Sequence, residues 1–368
     1  MINKRNVALD IFRVLIMFMI VLGHTLVHGG ILEKAELFTP TYYVVNSLMI
    51  FLYVHVNCFV IMSGYLGYQK KFSWTKWIKM WSGVLFWSVV LFFLISNLTG
   101  QSVISKELIK SFMPFTQERY WFMTTYLLMY MLTPLINAAI RELDQISYRR
   151  ILIICFMIYI VLQNVIFWRN FTKIGNSDPF FFCFLYMIGA YFAKYPLQRR
   201  IPWVWIYIGT CVLKMAYFFG VSSITVFLFS EPIGETVFNG YCSVLTVIGA
   251  TALFMTFATI NIEFKKNVSH LFSFLSPLTL GVYLIHDNPS VREPLWEFFD
   301  LTRFINSGYL IVVLFASATV IFVVCIVMEW IRSEIFIFMK LDEIILCIGN
   351  RIDRFLEKIC HSGIQKDN

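Results

Sequence analysis

Apolar residues along this chain do not alternate with polar ones; they run on. Long apolar stretches fall near residues 7–28, 44–68, 78–98, 120–140, 151–167, 180–193, 203–222, 240–262, 271–289 and 308–330. A hydrocarbon crossing takes about 20 residues of α-helix, so these stretches predict ten transmembrane helices. Charged residues sit between them. Pro134 and Gly189 lie inside apolar runs without arguing against a span, because neighbouring helices can satisfy a freed backbone group. No internal repeat or low-complexity linker interrupts the pattern.

Composition sharpens this picture. Of 368 residues, 59% are hydrophobic, 18% aromatic and 14% charged, and the mean hydropathy is +0.72. The expected fold class is an all-α polytopic membrane protein, with a transmembrane domain over 1–330 and a short basic tail over 331–368. The connecting loops are too short for a separate water-soluble catalytic domain. A net charge of +8 would suggest nucleic acid in a soluble protein, but here it is absorbed by the preference of Lys and Arg for cytoplasmic loops. Placing Lys4 and Arg5 in the cytoplasm puts 20 basic residues on that side and 8 on the other. Both termini are then cytoplasmic, the 29–43 and 290–307 loops are outside, and membrane lipid is the surrounding partner. A multi-pass protein of a bacterial plasma membrane is expected. The eight cysteines are scattered without a CxxC pair, so neither a zinc site nor a disulfide framework is expected. Arg13 inside the first apolar run, with no small-residue cleavage site after it, argues against a cleaved signal peptide.

The first run carries the main chemical signal. Arg13 and His24 are 11 residues apart, which leaves them about 20° apart around a helix and so on one face. Asp10, three residues before Arg13, joins the same stripe. An arginine or aspartate at such depth normally faces a protein interior or an aqueous cavity. A purely structural pairing of Asp10 with Arg13 and a satisfied core histidine would also account for the three. The shared face favours a tunnel, with a cation near the inner leaflet and an imidazole further out.

Four motifs carry a resemblance. Arg13-x10-His24 within LDIFRVLIMFMIVLGH, FVIMSGYL at 59–66, YWFMTTYLLMYMLTP at 120–134 and LGVYLIHDNPSVRE at 280–293 occur in that order. Together they resemble the membrane-bound acyltransferase 3 family, whose members acylate surface carbohydrates. Two positions depart from the family pattern: Lys76-Trp-Ile-Lys79 stands where many members have R-x-x-R, and Asn57 where a proline is common. The lysines keep the charge but lose bidentate phosphate geometry.

The resemblance implies an O-acyltransferase moving an acyl group, acetyl above all, from cytoplasmic acyl-CoA to a hydroxyl of a surface glycan or lipid-linked saccharide. His24 is then general base or transient acyl carrier; sequence leaves both open. Arg13, supported by Asp10, holds phosphate or stabilises an oxyanion, and Lys76 and Lys79 guide the nucleotide end, although the positive-inside rule alone also places lysines there. His286 becomes a second histidine for acid/base work, against the ordinary role of a helix-terminal histidine in structure. Trp121 is read as a sugar-stacking platform or as part of the interfacial aromatic belt, and Tyr65 as a hydroxyl in the cavity beside a close-packing Ser63-Gly64. No metal is required. Lys214 and Glu329 are intramembrane charges whose partners sequence does not name. Two other classes compete: a transporter or flippase of lipid-linked sugars, for which paired interrupted helices in two repeated halves are missing, and a membrane glycosyltransferase, for which the outer acidic residues form no compact motif.

Overall fold

The computed structural model describes residues 6–162 and 178–364, apart from 101, 103, 105 and 118. Lys4, Arg5 and the end of the fifth expected span lie outside the described residues. Among those described, the regular structure is entirely helical. Eight helical segments are long and apolar enough to cross a membrane. The sixth expected span is a shorter apolar helix, and the described part of the fifth is Gln145–Phe156 running into a π turn at Met157–Val161. The all-α polytopic membrane architecture is therefore as the apolar pattern indicates.

Local signals set the helix ends. Helix α1 (Val7–Val27) is capped by Asn6, whose side chain accepts from the Leu9 amide. Thr39 caps α2 (Pro40–Leu52), with proline at its start, and α3 (His55–Gly67) follows after a bend. Ser73 caps α4 (Trp74–Thr99), and Gly100 at φ +67° ends it. Such oxygens and a left-handed glycine satisfy the amides and carbonyls that a helix end leaves open. In α5 (Trp121–Glu142), Pro134 removes the amide that would bond the Tyr130 carbonyl; the Thr133 hydroxyl donates to that carbonyl at 2.6 Å instead.

Helix α1 is the axis of the bundle. It is buried on most sides, as a helix that is apolar outside one polar stripe should be. Helix α6 is Gln145–Phe156, α7 is Pro179–Lys194, α8 is Trp203–Phe229 and α9 is Val244–Ala258. Helices α3 and α7 approach at backbone distance: a Cβ on Gly64 would strike the Tyr186 carbonyl, and one on Gly189 the Ile61 carbonyl. Close packing is thus what Gly64 supplies. By contrast, α8 shows Val212, Leu213 and Phe227 to its surroundings, the surface of a peripheral, lipid-facing helix.

Two expected spans are broken. The second bends at Tyr53–Val54, between α2 and α3. The ninth divides into α10 (Lys266–Leu275), a 3-10 turn at Ser276–Leu278 containing Pro277, and α11 (Thr279–His286). Irregular backbone at membrane depth is tolerated where it lines a cavity, and both breaks do. Helix α12 (Pro289–Phe299) follows, then α13 (Leu310–Phe338) and α14 (Leu341–Ile364). The tail is therefore a packed helix: Gly349 lies against Thr75 of α4, and Asp342 pairs with Lys79 at 3.0 Å.

The intramembrane charges have partners. Lys214 Nζ donates to Thr246 Oγ1 at 3.2 Å, and Glu329 accepts from Arg332 at 2.6 and 2.9 Å and from Trp87 Nε1 at 2.7 Å. Pairing of this kind lowers the cost of burying each group.

Candidate active site

Two chambers meet around α1. The deeper, of about 350 Å³, is lined by Arg13, His24, His55, Trp121, Tyr241, Ser276 and Tyr283 among others. The second, of about 380 Å³, is lined by Lys70, Lys71, Tyr130 and Asn137 at the basic end of the bundle. Arg13, Ser63, Lys76 and Tyr126 belong to both walls, so the chambers are consecutive. The Arg13–His24 stripe faces this passage because both residues share a face of α1, and the two helix breaks supply other walls at His55–Val56 and Ser276–Pro277.

At the far end, His24 Nδ1 is 2.9 Å from His286 Nε2, and His286 Nδ1 is 2.5 Å from the Val282 carbonyl. A carbonyl only accepts, so His286 Nδ1 carries a proton. In neutral His286 the Nε2 atom is then an acceptor, and His24 must donate from Nδ1. This leaves the His24 Nε2 lone pair as the basic and nucleophilic atom. Asp287 Oδ1 lies 3.8 Å from His24 Nδ1 and 3.5 Å from His28 Nε2, and accepts from Arg292 at 2.8 and 3.1 Å. Arg292, with His24 and His28 beside it, supplies the positive partner of the buried Asp287 carboxylate. Its negative charge faces the His24 N–H and favours an imidazolium there. Asn288 braces this corner, donating to the Tyr120 hydroxyl at 2.6 Å while its oxygen caps α12 at Ser290.

At the basic end the groups are cations on long side chains. Arg13 Nη1 donates to Ser276 Oγ at 3.1 Å. Lys76 is exposed, lines both chambers, and places its ammonium 5.0 Å from the centre of the Tyr130 ring. The rise of α1 separates Arg13 from His24 by about 16 Å, so Arg13 does not share reacting atoms with His24.

The remaining expected residues divide. Trp121 lines the deeper chamber and stacks on Tyr241 at 5.7 Å. Lys79 points away to Asp342, Tyr65 packs edge-on against Phe254 at 5.2 Å, and Asp10 is buried in α1; these three line neither chamber. Sequence reasoning missed His28, which stands one turn beyond His24 and could have been found from that i, i+4 spacing. It also missed His55 and Tyr241, which no spacing connects to α1. Among the described residues, His55 Nδ1 and the Tyr283 hydroxyl are buried without a hydrogen-bond partner, and both residues line the deeper chamber. Buried polar groups of this kind are costly unless a ligand bonds them.

His24, His28 and Asp287 bring three potential ligand atoms within 4.8 Å of one another, close enough to hold a cation. The guanidinium of Arg292 already occupies the Asp287 oxygen with a positive charge, which disfavours a metal ion there.

A membrane-embedded passage with cations at one end and an activated histidine at the other defines a polytopic membrane protein equipped for group transfer. Residues 6–329 match the acyltransferase domain of the acyltransferase 3 family, and the chain belongs to that family. It is a membrane acyltransferase. No curated protein and no solved structure matches the chain.

Proposed function

We propose that the protein takes an acetyl group from cytoplasmic acetyl-CoA and transfers it to a hydroxyl of a cell-surface or lipid-linked carbohydrate, across a bacterial plasma membrane. The observation that carries this reading is the passage from Lys70, Lys71 and Lys76 past Arg13 to His24. Its basic mouth suits a nucleotide's phosphates, and its length suits an extended pantetheine arm with a thioester at its tip.

In this reading His24 Nε2 takes the acceptor hydroxyl proton as the sugar oxygen attacks the thioester carbonyl. The tetrahedral intermediate collapses with loss of the CoA thiolate, which receives that proton. A transient acyl-imidazole at the same atom would give the same products. His286 sets the tautomer, Asp287 stabilises the imidazolium, and the Tyr283 hydroxyl, on the wall of the same chamber, donates to the developing oxyanion. Arg13 and Lys76 hold the donor.

The experiment is mass spectrometry of surface glycans from cells with and without the protein, paired with transfer of labelled acetyl from acetyl-CoA by the purified protein in vesicles. Loss of one acetyl mass from a glycan, together with acetyl transfer in vitro, is the expected result. Unchanged glycans and no transfer would overturn the proposal.

A further inference from the structure

His24 has a cavity on each flank at the far end of α1. One, of about 410 Å³, lies beside His28 and is lined by Lys34, Arg292, Glu293, Trp296 and Glu297. The other, of about 570 Å³, is lined by Val27, Tyr42, Asn46, Tyr53, Glu235 and Asn239 among others. Around α1, His28 lies about 40° from His24 in one sense and Val27 about 60° in the other. The cavities therefore occupy opposite flanks.

The hydrogen bonds of His24 choose between them. Its Nδ1 is committed to the side of His286, Asp287 and His28. The two imidazole nitrogens diverge, so Nε2 turns away from that network. The cavity lined by His28 and Arg292 lies on that committed side, so a hydroxyl that gives its proton to Nε2 does not come from it. A pair of rings lies between the Val27-side cavity and the His24 chamber: Tyr53, lining the first, stacks on Tyr241, lining the second, at 4.6 Å and 13°.

The lining also states a chemistry. Tyr42 and Tyr53 offer aromatic rings, Asn46 and Asn239 offer amides, and Glu235 Oε2 is buried with no hydrogen-bond partner among the described residues. Rings suit the C–H faces of a pyranose, while amides and a carboxylate suit its hydroxyls. Among the described residues, no Lys, Arg or His lines this cavity, so it suits an uncharged sugar and disfavours phosphate.

We infer that the Val27-side cavity is the acceptor subsite and takes a neutral saccharide unit, with the stacked Tyr53–Tyr241 pair as the partition to His24. This rests on the acetyl-transfer reading above. The probe is the unacetylated glycan purified from cells lacking the protein, offered with acetyl-CoA to the protein in vesicles. Glu235→Gln and Asn239→Ala should each raise the glycan KM about 10-fold, the loss expected for one hydrogen bond to a bound ligand. The acetyl-CoA KM should stay unchanged, and Glu297→Gln in the opposite cavity should leave both constants unchanged. As a measurement independent of turnover, saturating glycan should slow maleimide labelling of Asn239→Cys. Unmoved glycan KM in both variants with unslowed labelling, or a shift confined to Glu297→Gln, would overturn the assignment while leaving acetyl transfer standing. Absence of transfer by the unaltered protein would instead remove the reading beneath it.

Discussion

His24 and Arg13 share one face of one helix, yet the protein holds them by opposite means. The imidazole is fixed through Nδ1 by His286, which is itself fixed by a backbone carbonyl, with Asp287 and Arg292 behind. Arg13 donates to a hydroxyl, that of Ser276, and the neighbouring cation, Lys76, is exposed. Bond-making depends on which nitrogen carries a lone pair and where it points, and a few degrees matter. Capture of a charged ligand depends on the sign and density of charge and tolerates movement of the groups that carry it. One end is accordingly built as a rigid network and the other as a field.

This contrast is open to direct attack. Substitution His24→Ala should give the largest effect, a fall in transfer of about 10²- to 10⁴-fold, the usual contribution of a positioned base. Thermal stability and acetyl-CoA binding should change little if, as proposed, the donor's charged end is held by Arg13, lower on the helix. A well-folded His24→Ala protein with near-normal transfer would refute the rigid-end assignment. His286→Ala frees the tautomer and should lower kcat on the order of 10- to 100-fold, the cost of one strong buried hydrogen bond. His286→Gln keeps an acceptor for the Nδ1 proton and should recover part of the loss. Equal activity of the two variants would show that His286 acts only through packing.

At the basic end the effects should move to binding. Arg13→Ala should raise the acetyl-CoA KM about 10-fold or more, the loss expected for a charge-assisted contact. Lys76→Ala should raise it several-fold at low salt and less at high salt, as a partly screened charge requires. Lys79→Ala should leave the donor KM unchanged, since that lysine is held by Asp342; an exposed pair of this kind contributes roughly 0.2–1 kcal/mol to stability. A donor KM that responds to Lys79 as strongly as to Lys76 would contradict the division between them.

Much of the protein was legible without coordinates. Membrane class, all-helical architecture and the polar stripe of α1 follow from hydrocarbon solvation and helical period, which act locally and leave their mark in residue order. Four ordered motifs were enough to indicate the family that the domain match shows. What residue order does not contain is the meeting of distant segments. His24 and His286 are 262 positions apart and bond at 2.9 Å, and Arg13 reaches Ser276 only because Pro277 breaks the ninth span beside it. Lys76 and Lys79 look equivalent in sequence, yet the tail helix α14 draws one of them away from the cavity. Tertiary packing decided these points, because a side chain's role in a buried cavity is set by the neighbours that desolvate it, bond it or leave it unpaired, and those neighbours come from the whole chain.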